Sequence, residues 1–86
     1  MPSPNTITVT RRKLGQHRAV GLAHGNGHVE VDSRLGGKYH LDTLIHEFLH
    51  EWEWCLPEAV VRKLASSLAK FLHRNRVRII EADHQL

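Results

Sequence analysis

The sequence has one cysteine, three prolines and few aromatic residues among its 86 positions. Cys55 has no partner for an internal disulfide, so the fold must be held by a hydrophobic core, a metal or a partner. No apolar run approaches the ~20 residues that span a bilayer, and the N-terminus lacks a basic and then apolar signal sequence. This length suits one small domain and excludes a two-domain enzyme. We therefore expect a cytoplasmic protein with no membrane segment.

Histidine, in contrast, is abundant, with eight residues in the chain. Neutral imidazole is the commonest nitrogen ligand of transition metals in proteins, so the composition favours a metal-binding protein. The net charge of +3 is a modest basic excess. It permits an acidic partner without requiring one. The basic residues form two clusters, one near each end of the chain: Arg11, Arg12, Lys13 and Arg74, Arg76, Arg78.

The first third of the chain has the pattern of short strands. β-branched and polar residues alternate over residues 6–13, and residues 19–23 and 28–32 are two further strand candidates. Between the last two, the pair Asn26-Gly27 supplies the positive φ angles of a tight turn, which predicts a β-hairpin. Residues 33–37 form a loop with two glycines. Val77, Ile79 and Ile80 are candidates for a last short strand.

From about Lys38 the apolar residues recur with helical spacing. The first predicted helix ends before Pro57, because the residue before a proline is pushed out of the helical region. Its apolar side is Leu41, Leu44, Ile45, Phe48, Leu49 and Trp52, and the histidines lie opposite. Pro57 suits the first position of a second helix that ends near residues 73–75. The apolar stripe predicted for that helix is Val60, Leu64, Leu68, Phe71 and Leu72.

Residues 46–50 have the sequence His-Glu-Phe-Leu-His, an HExxH motif. Residues four apart lie one turn above each other on a helix, so His46 and His50 can both bind one Zn²⁺. Glu47 is rotated about 100° from His46 and can contact a water on the metal rather than the metal itself. Zinc would acidify that water and polarise a carbonyl, and Glu47 would move the proton to the leaving amine.

Residues 43–50 resemble the active-site helix of the zincin metallopeptidases, in which two histidines bind zinc and the glutamate is the general base. The metzincin extension is absent, because Glu53 and Leu56 stand where it needs glycine and histidine. The chain continues instead into Pro57-Glu58-Ala59, which is similar to the gluzincins, to the short domains related to the ImmA/IrrE peptidases and to the minigluzincins. The resemblance departs at Glu51, usually uncharged in zincins, so we do not expect this turn to be fully buried.

The resemblance implies that Glu58, on the second helix, is the third zinc ligand. Some zincins use a downstream histidine instead, which makes His73 the alternative. Fifteen residues of continuous helix extend ~22 Å, so Glu58 and His73 cannot both bind one zinc. The break at Pro57 lets the chain turn back at once and favours Glu58, which follows His50 by eight residues.

Several other residues have less specific roles in this hypothesis. Glu30 could lie on an edge strand that pairs with a peptide substrate, but an ordinary exposed strand position is the favoured interpretation. Trp52 is expected in the core, and Cys55 is expected to be a small buried residue. The candidates for stabilising an oxyanion are Tyr39, His28, His40, His73 and His84.

Together these patterns predict an α+β domain, a short antiparallel sheet with a hairpin packed on two helices, at residues 6–81. Residues 1–5 are expected to be a flexible N-terminus and residues 82–86 a C-terminal tail. The predicted function is a zinc metallopeptidase with one Zn²⁺ per chain and a peptide or protein substrate, with selectivity weak or supplied by a targeting partner. Two alternatives stay open: a basic nucleic-acid-binding module with a structural zinc, and a latent zincin whose residues 81–86 occupy the groove.

Overall fold

The structure is a computed structural model that describes residues 4–14 and 20–79. A single 3-10 turn at Pro4–Thr6 precedes three strands, β1 (Thr8–Arg12), β2 (Gly21–Ala23) and β3 (His28–Asp32). Two helices follow, α1 (Gly37–Trp52) and α2 (Glu58–Arg74). The α+β class and the hairpin with two helices are therefore confirmed. Within the described ranges no helix is both long and apolar enough to cross a membrane.

The sheet is mixed, with strand order β1-β3-β2. β2 and β3 form the predicted antiparallel hairpin, in which Leu22 pairs with Glu30. β1 pairs with β3 in parallel instead, so the expectation of a purely antiparallel sheet was wrong for this strand. At the hairpin turn the positive φ angles belong to Gly25 and Gly27, at 84° and 86°, rather than to Asn26 and Gly27.

The central strand β3 is the most buried part of the sheet. Val29 and Val31 are fully buried under α1, and Glu30 and Asp32 alternate with them as buried carboxylates. Since β3 has a neighbour on each side, it has no open edge for a peptide, so the edge-strand hypothesis for Glu30 was wrong. The favoured alternative, an ordinary exposed strand position, was wrong as well, because Glu30 is only 7% exposed.

The buried carboxylates of β3 have positively charged partners. Arg12 on β1 forms an ion pair with Glu30. The Oε1 atom of Glu30 also lies 2.9 Å from His24 Nε2. Arg34 pairs with Asp32 at 2.7 Å. The hydrogen bonds from Arg12 and His24 lower the pKa of Glu30 to about 2, with Arg12 as the largest cause, against the opposing effect of burial.

α1 packs on the sheet through Leu41 and Leu49, which are buried as predicted. Trp52, expected in the core, is half-buried and stacks on Phe48 with ring centroids 5.8 Å apart. α1 ends at Trp52, and residues 53–57 form a short turn before α2. Cys55 lies in that turn and is exposed, so its predicted burial was wrong.

α2 buries a different face from the one predicted. Its buried residues are Val61, Ala65 and Ala69, which pack toward α1. Four of the five residues of the predicted stripe are exposed, by 41% for Val60, 41% for Leu64, 45% for Leu68 and 64% for Phe71, while Leu72 is half-buried. The reason is that α2 packs mainly on one helix, and small side chains let the two backbones approach closely. Val77 and Ile79 are not in a strand, and Ile80 lies outside the described residues.

Candidate metal centre

The site is formed where the last turns of α1 meet the first turn of α2. His46 and His50 lie one helical turn apart on α1. Pro57 is extended, with φ −61° and ψ 147°, and caps α2, so that Glu58 stands in the first turn of the returning helix. The short turn of residues 53–57 therefore brings a carboxylate back to the two imidazoles.

The three side chains converge to within hydrogen-bond distances of one another. His46 Nε2 is 3.2 Å from His50 Nε2 and 3.3 Å from Glu58 Oε2, and His50 Nε2 is 2.6 Å from Glu58 Oε1. Ligands of a tetrahedral Zn²⁺, at bond lengths of ~2.0–2.1 Å, lie roughly 3.3 Å apart. Two separations match that value, and the third is a hydrogen bond made by a carboxylate whose side chain is 48% exposed and free to adjust. The donor set, meaning the side chains of His46, His50 and Glu58, therefore fits a zinc ion.

The carboxylate of Glu58 is surrounded by the side chains of His46, His50 and Arg62, which favour its charged form. Burial acts to raise its pKa, but the hydrogen bond to His50 and the charges of His46, His50 and Arg62 outweigh burial and leave the pKa below its ordinary value. Arg62, one turn further along α2, approaches Glu58 Oε2 at 3.3 Å. The carboxylate is thus kept ionised, which is the form that binds a metal.

Glu47 lies beside the donor set without belonging to it. Burial raises the pKa of its carboxyl group, against the lowering effect of the two histidine charges. β2 passes directly over this side chain, since a Cβ atom at Gly21 would lie 2.7 Å from Glu47 Cγ. Gly21 is therefore needed for the close approach of β2 to α1. The sequence pattern missed this, although a glycine within a short strand is a known signal of it.

A pocket of about 230 Å³ opens beside His46 and Glu47, between α1 and the start of β2. Its other lining residues are Val20, Tyr39, Asp42 and Thr43. Of the oxyanion candidates within residues 4–14 and 20–79, Tyr39 is the one that lines this pocket. The pocket therefore gives His46 and Glu47 access to an open space at the surface.

The comparisons with known proteins find no match: no family model, no curated protein and no solved structure.

The remaining predicted candidates lie away from the donor set. His73 is beside Gly37, at the start of α1 rather than at its end. His28 contacts Thr8 on the sheet at 2.7 Å, and His40 is buried in the first turn of α1, where Arg11 approaches it at 3.3 Å. His84 is outside the described residues. Of the two proposed third ligands, only Glu58 meets His46 and His50.

Glu51 has a structural role that the sequence pattern did not indicate. It is 1% exposed, whereas His50 and Trp52 in the same turn are only half-buried, so the turn as a whole is not fully buried, as expected. Its carboxylate accepts hydrogen bonds from the backbone N–H of Gly25, at 2.8 Å, and of Gly27. The buried charge is tolerated because these two backbone N–H groups take the place of the water that would otherwise solvate the carboxylate. Glu51 therefore joins the β2–β3 hairpin to the helix that carries the two histidines.

Proposed function

We propose that this protein is a zinc-dependent peptidase. The observation that carries the proposal is the convergence of His46, His50 and Glu58, whose ligand atoms all lie within 4.8 Å of one another, next to a carboxylate that is not part of the set. Three protein ligands with an open fourth position are typical of catalytic zinc sites, whereas structural sites have four protein ligands.

The three ligands would hold one Zn²⁺ per chain. When bound, zinc supplies a Lewis acid that polarises a carbonyl oxygen and lowers the pKa of a water molecule toward ~7. Before the metal binds, the hydrogen bond between His50 and Glu58 and the nearby positive charges keep the Glu58 carboxylate ionised and next to the histidines.

Glu47 would be the general base. A carboxylate whose pKa is raised by burial accepts a proton more readily than an exposed one, and it can then return the proton to the leaving amine. Because β2 passes close over Glu47 at Gly21, the side chain has little freedom to turn away from the pocket.

A peptide is the substrate that the surroundings of the site favour. β2 lies at the edge of the sheet next to α1, so an extended peptide could add to it by backbone hydrogen bonds. The edge strand is therefore β2, and not β3, which carries Glu30. A peptide aligned on β2 would run past the pocket that contains His46 and Glu47.

The nucleic-acid alternative has less support. Arg12, in the first basic cluster, is engaged by Glu30, and Arg11 contacts His40. The latent alternative depends on residues 81–86, which lie outside the described residues.

Replacing Glu47 by Gln tests the proposal. The amide cannot accept a proton, so we expect Glu47→Gln to bind one zinc per chain as the wild type does and to cleave a mixed peptide library 10²- to 10⁴-fold more slowly. Glu53→Gln removes the same charge at the C-terminal end of α1 and is the matched control, which should stay active. Zinc-loaded wild type that cleaves no peptide, or a Glu47→Gln variant with full activity, would contradict the proposal.

A further inference from the structure

The pocket beside the site contains one charged group that the proposed chemistry does not use. Asp42 lies four residues before His46, on the same side of α1, and lines the pocket together with Val20 and Tyr39. It is not a member of the donor set. Four residues of helix rise ~6 Å, so its carboxylate stands about one turn from the metal ligands.

Asp42 is also without a partner in the described part of the chain, where it makes no hydrogen bond or ion pair. The nearest cation in sequence that could pair with it across one turn of α1 is Lys38. Lys38 lies instead over the ring of Tyr39, with Nζ 5.4 Å from the ring centroid. The carboxylate of Asp42 is therefore free to bind a cation from outside.

We propose that Asp42 makes this pocket a subsite for a lysine or arginine side chain of the substrate, an inference that rests on the proposed peptidase function. The aliphatic stem of such a side chain would contact Val20 and the ring of Tyr39, and its charged end would reach Asp42. The volume of about 230 Å³ is below the ~300–1,000 Å³ of pockets that enclose a whole small molecule, so it suits a single side chain.

The amino terminus of a peptide is a second source of positive charge. A bare α-amino group has no aliphatic stem, and it would leave the apolar wall of the pocket uncovered. The geometry therefore favours the side chain, and the experiment separates the two sources.

Binding can be tested without turnover. The probes are fluorescent peptides Ala-Ala-Xaa-Ala-Ala, blocked at both ends, in which Xaa is lysine, norleucine or glutamate, and an unblocked all-alanine peptide. They are titrated by anisotropy into the zinc-loaded full chain carrying Glu47→Gln. We expect the lysine peptide to bind about tenfold more tightly than the norleucine peptide, because a charge-assisted hydrogen bond contributes about 1.4 kcal/mol or more.

The variants of Asp42 give the decisive comparison. Asp42→Asn should remove the preference for lysine, Asp42→Lys should transfer it to the glutamate peptide, and the matched charge control Glu53→Gln should keep it. Equal affinity for lysine and norleucine, a preference that survives Asp42→Asn, or a preference shown only by the unblocked peptide would overturn the proposal.

The two proposals fail separately. If the zinc-loaded wild type cleaves no peptide while the lysine preference depends on Asp42, the subsite stands and the peptidase function fails. If the wild type cleaves peptides with no preference that depends on Asp42, the peptidase function stands and the subsite fails.

Discussion

The carboxylate of Glu58 faces two imidazoles and a guanidinium at separations between 2.6 and 3.3 Å. No other described side chain meets His46 and His50 in this way as a possible ligand. His73, which the sequence left as the alternative, is more than four turns along α2 and lies beside Gly37. Glu58 and His73 therefore lie at opposite ends of α2, and only Glu58 is at the end that meets the two histidines of α1.

Zinc affinity should distinguish these two residues. We expect Glu58→Gln to weaken zinc binding more than about 100-fold, since even the partners that orient zinc ligands are worth 10–100-fold. His73→Ala should leave affinity within about twofold, because its side chain does not reach the site. A competition titration against a chromophoric chelator measures both. The reverse order would place the third ligand at His73.

The elements that carry the site are joined by a buried carboxylate rather than by apolar contacts alone. Glu51, in the last turn of α1, holds the backbone of the β2–β3 turn through Gly25 and Gly27. The same hairpin brings Gly21 over Glu47. The position of β2 relative to the histidines therefore depends on Glu51.

Removing this link should destabilise the domain. We expect Glu51→Ala to lower the free energy of unfolding by about 1–3 kcal/mol, because two amide groups lose a charged acceptor in a buried setting. Glu51→Gln keeps one acceptor oxygen and should cost less. Urea denaturation followed by circular dichroism measures the difference. Equal stability of Glu51→Ala and wild type would show that water replaces the carboxylate at no cost.

The sequence predicted α1 well because periodicity and the spacing of His46 and His50 are both local properties of one helix. For α2 it predicted the bounds, but not the buried face, since Leu64 and Phe71 are exposed and Ala65 and Ala69 are buried. Periodicity identifies an apolar face, but it does not show how many neighbours cover that face. The parallel pairing of β1 was missed for a related reason, since register between distant strands has no local signal.

Over the whole molecule, the charged residues of β3 hold the sheet together across its three strands. Arg12 on β1 and His24 beside β2 both contact Glu30 on the central strand. Asp32 binds Arg34, and its carboxylate also accepts the backbone N–H of Leu14 at 3.1 Å. The side-chain hydrogen bond from Arg34 is the largest cause of the lowered pKa of Asp32.

Stability should therefore fall in acid. The pKa of Glu30 is about 2 in the folded chain and 4.5 ordinarily, so its contribution is complete above pH ~4.5 and is lost as the pH falls toward 2. In metal-free protein, the Tm of Glu30→Gln should fall less than that of the wild type between pH 5 and pH 2.5. Thermal unfolding by circular dichroism at half-unit pH steps measures both curves. Parallel curves would mean that Glu30 is not paired in solution.

The three proposed zinc ligands lie between positions 46 and 58, in one short stretch of an 86-residue chain. Closing so small a loop costs little entropy even when the sheet is not formed, because this cost rises only with the logarithm of loop length. An unfolded or partly folded chain can therefore retain some affinity for zinc. Zinc would then raise the melting temperature by less than its affinity for the native state implies, since binding to the unfolded chain offsets part of the gain.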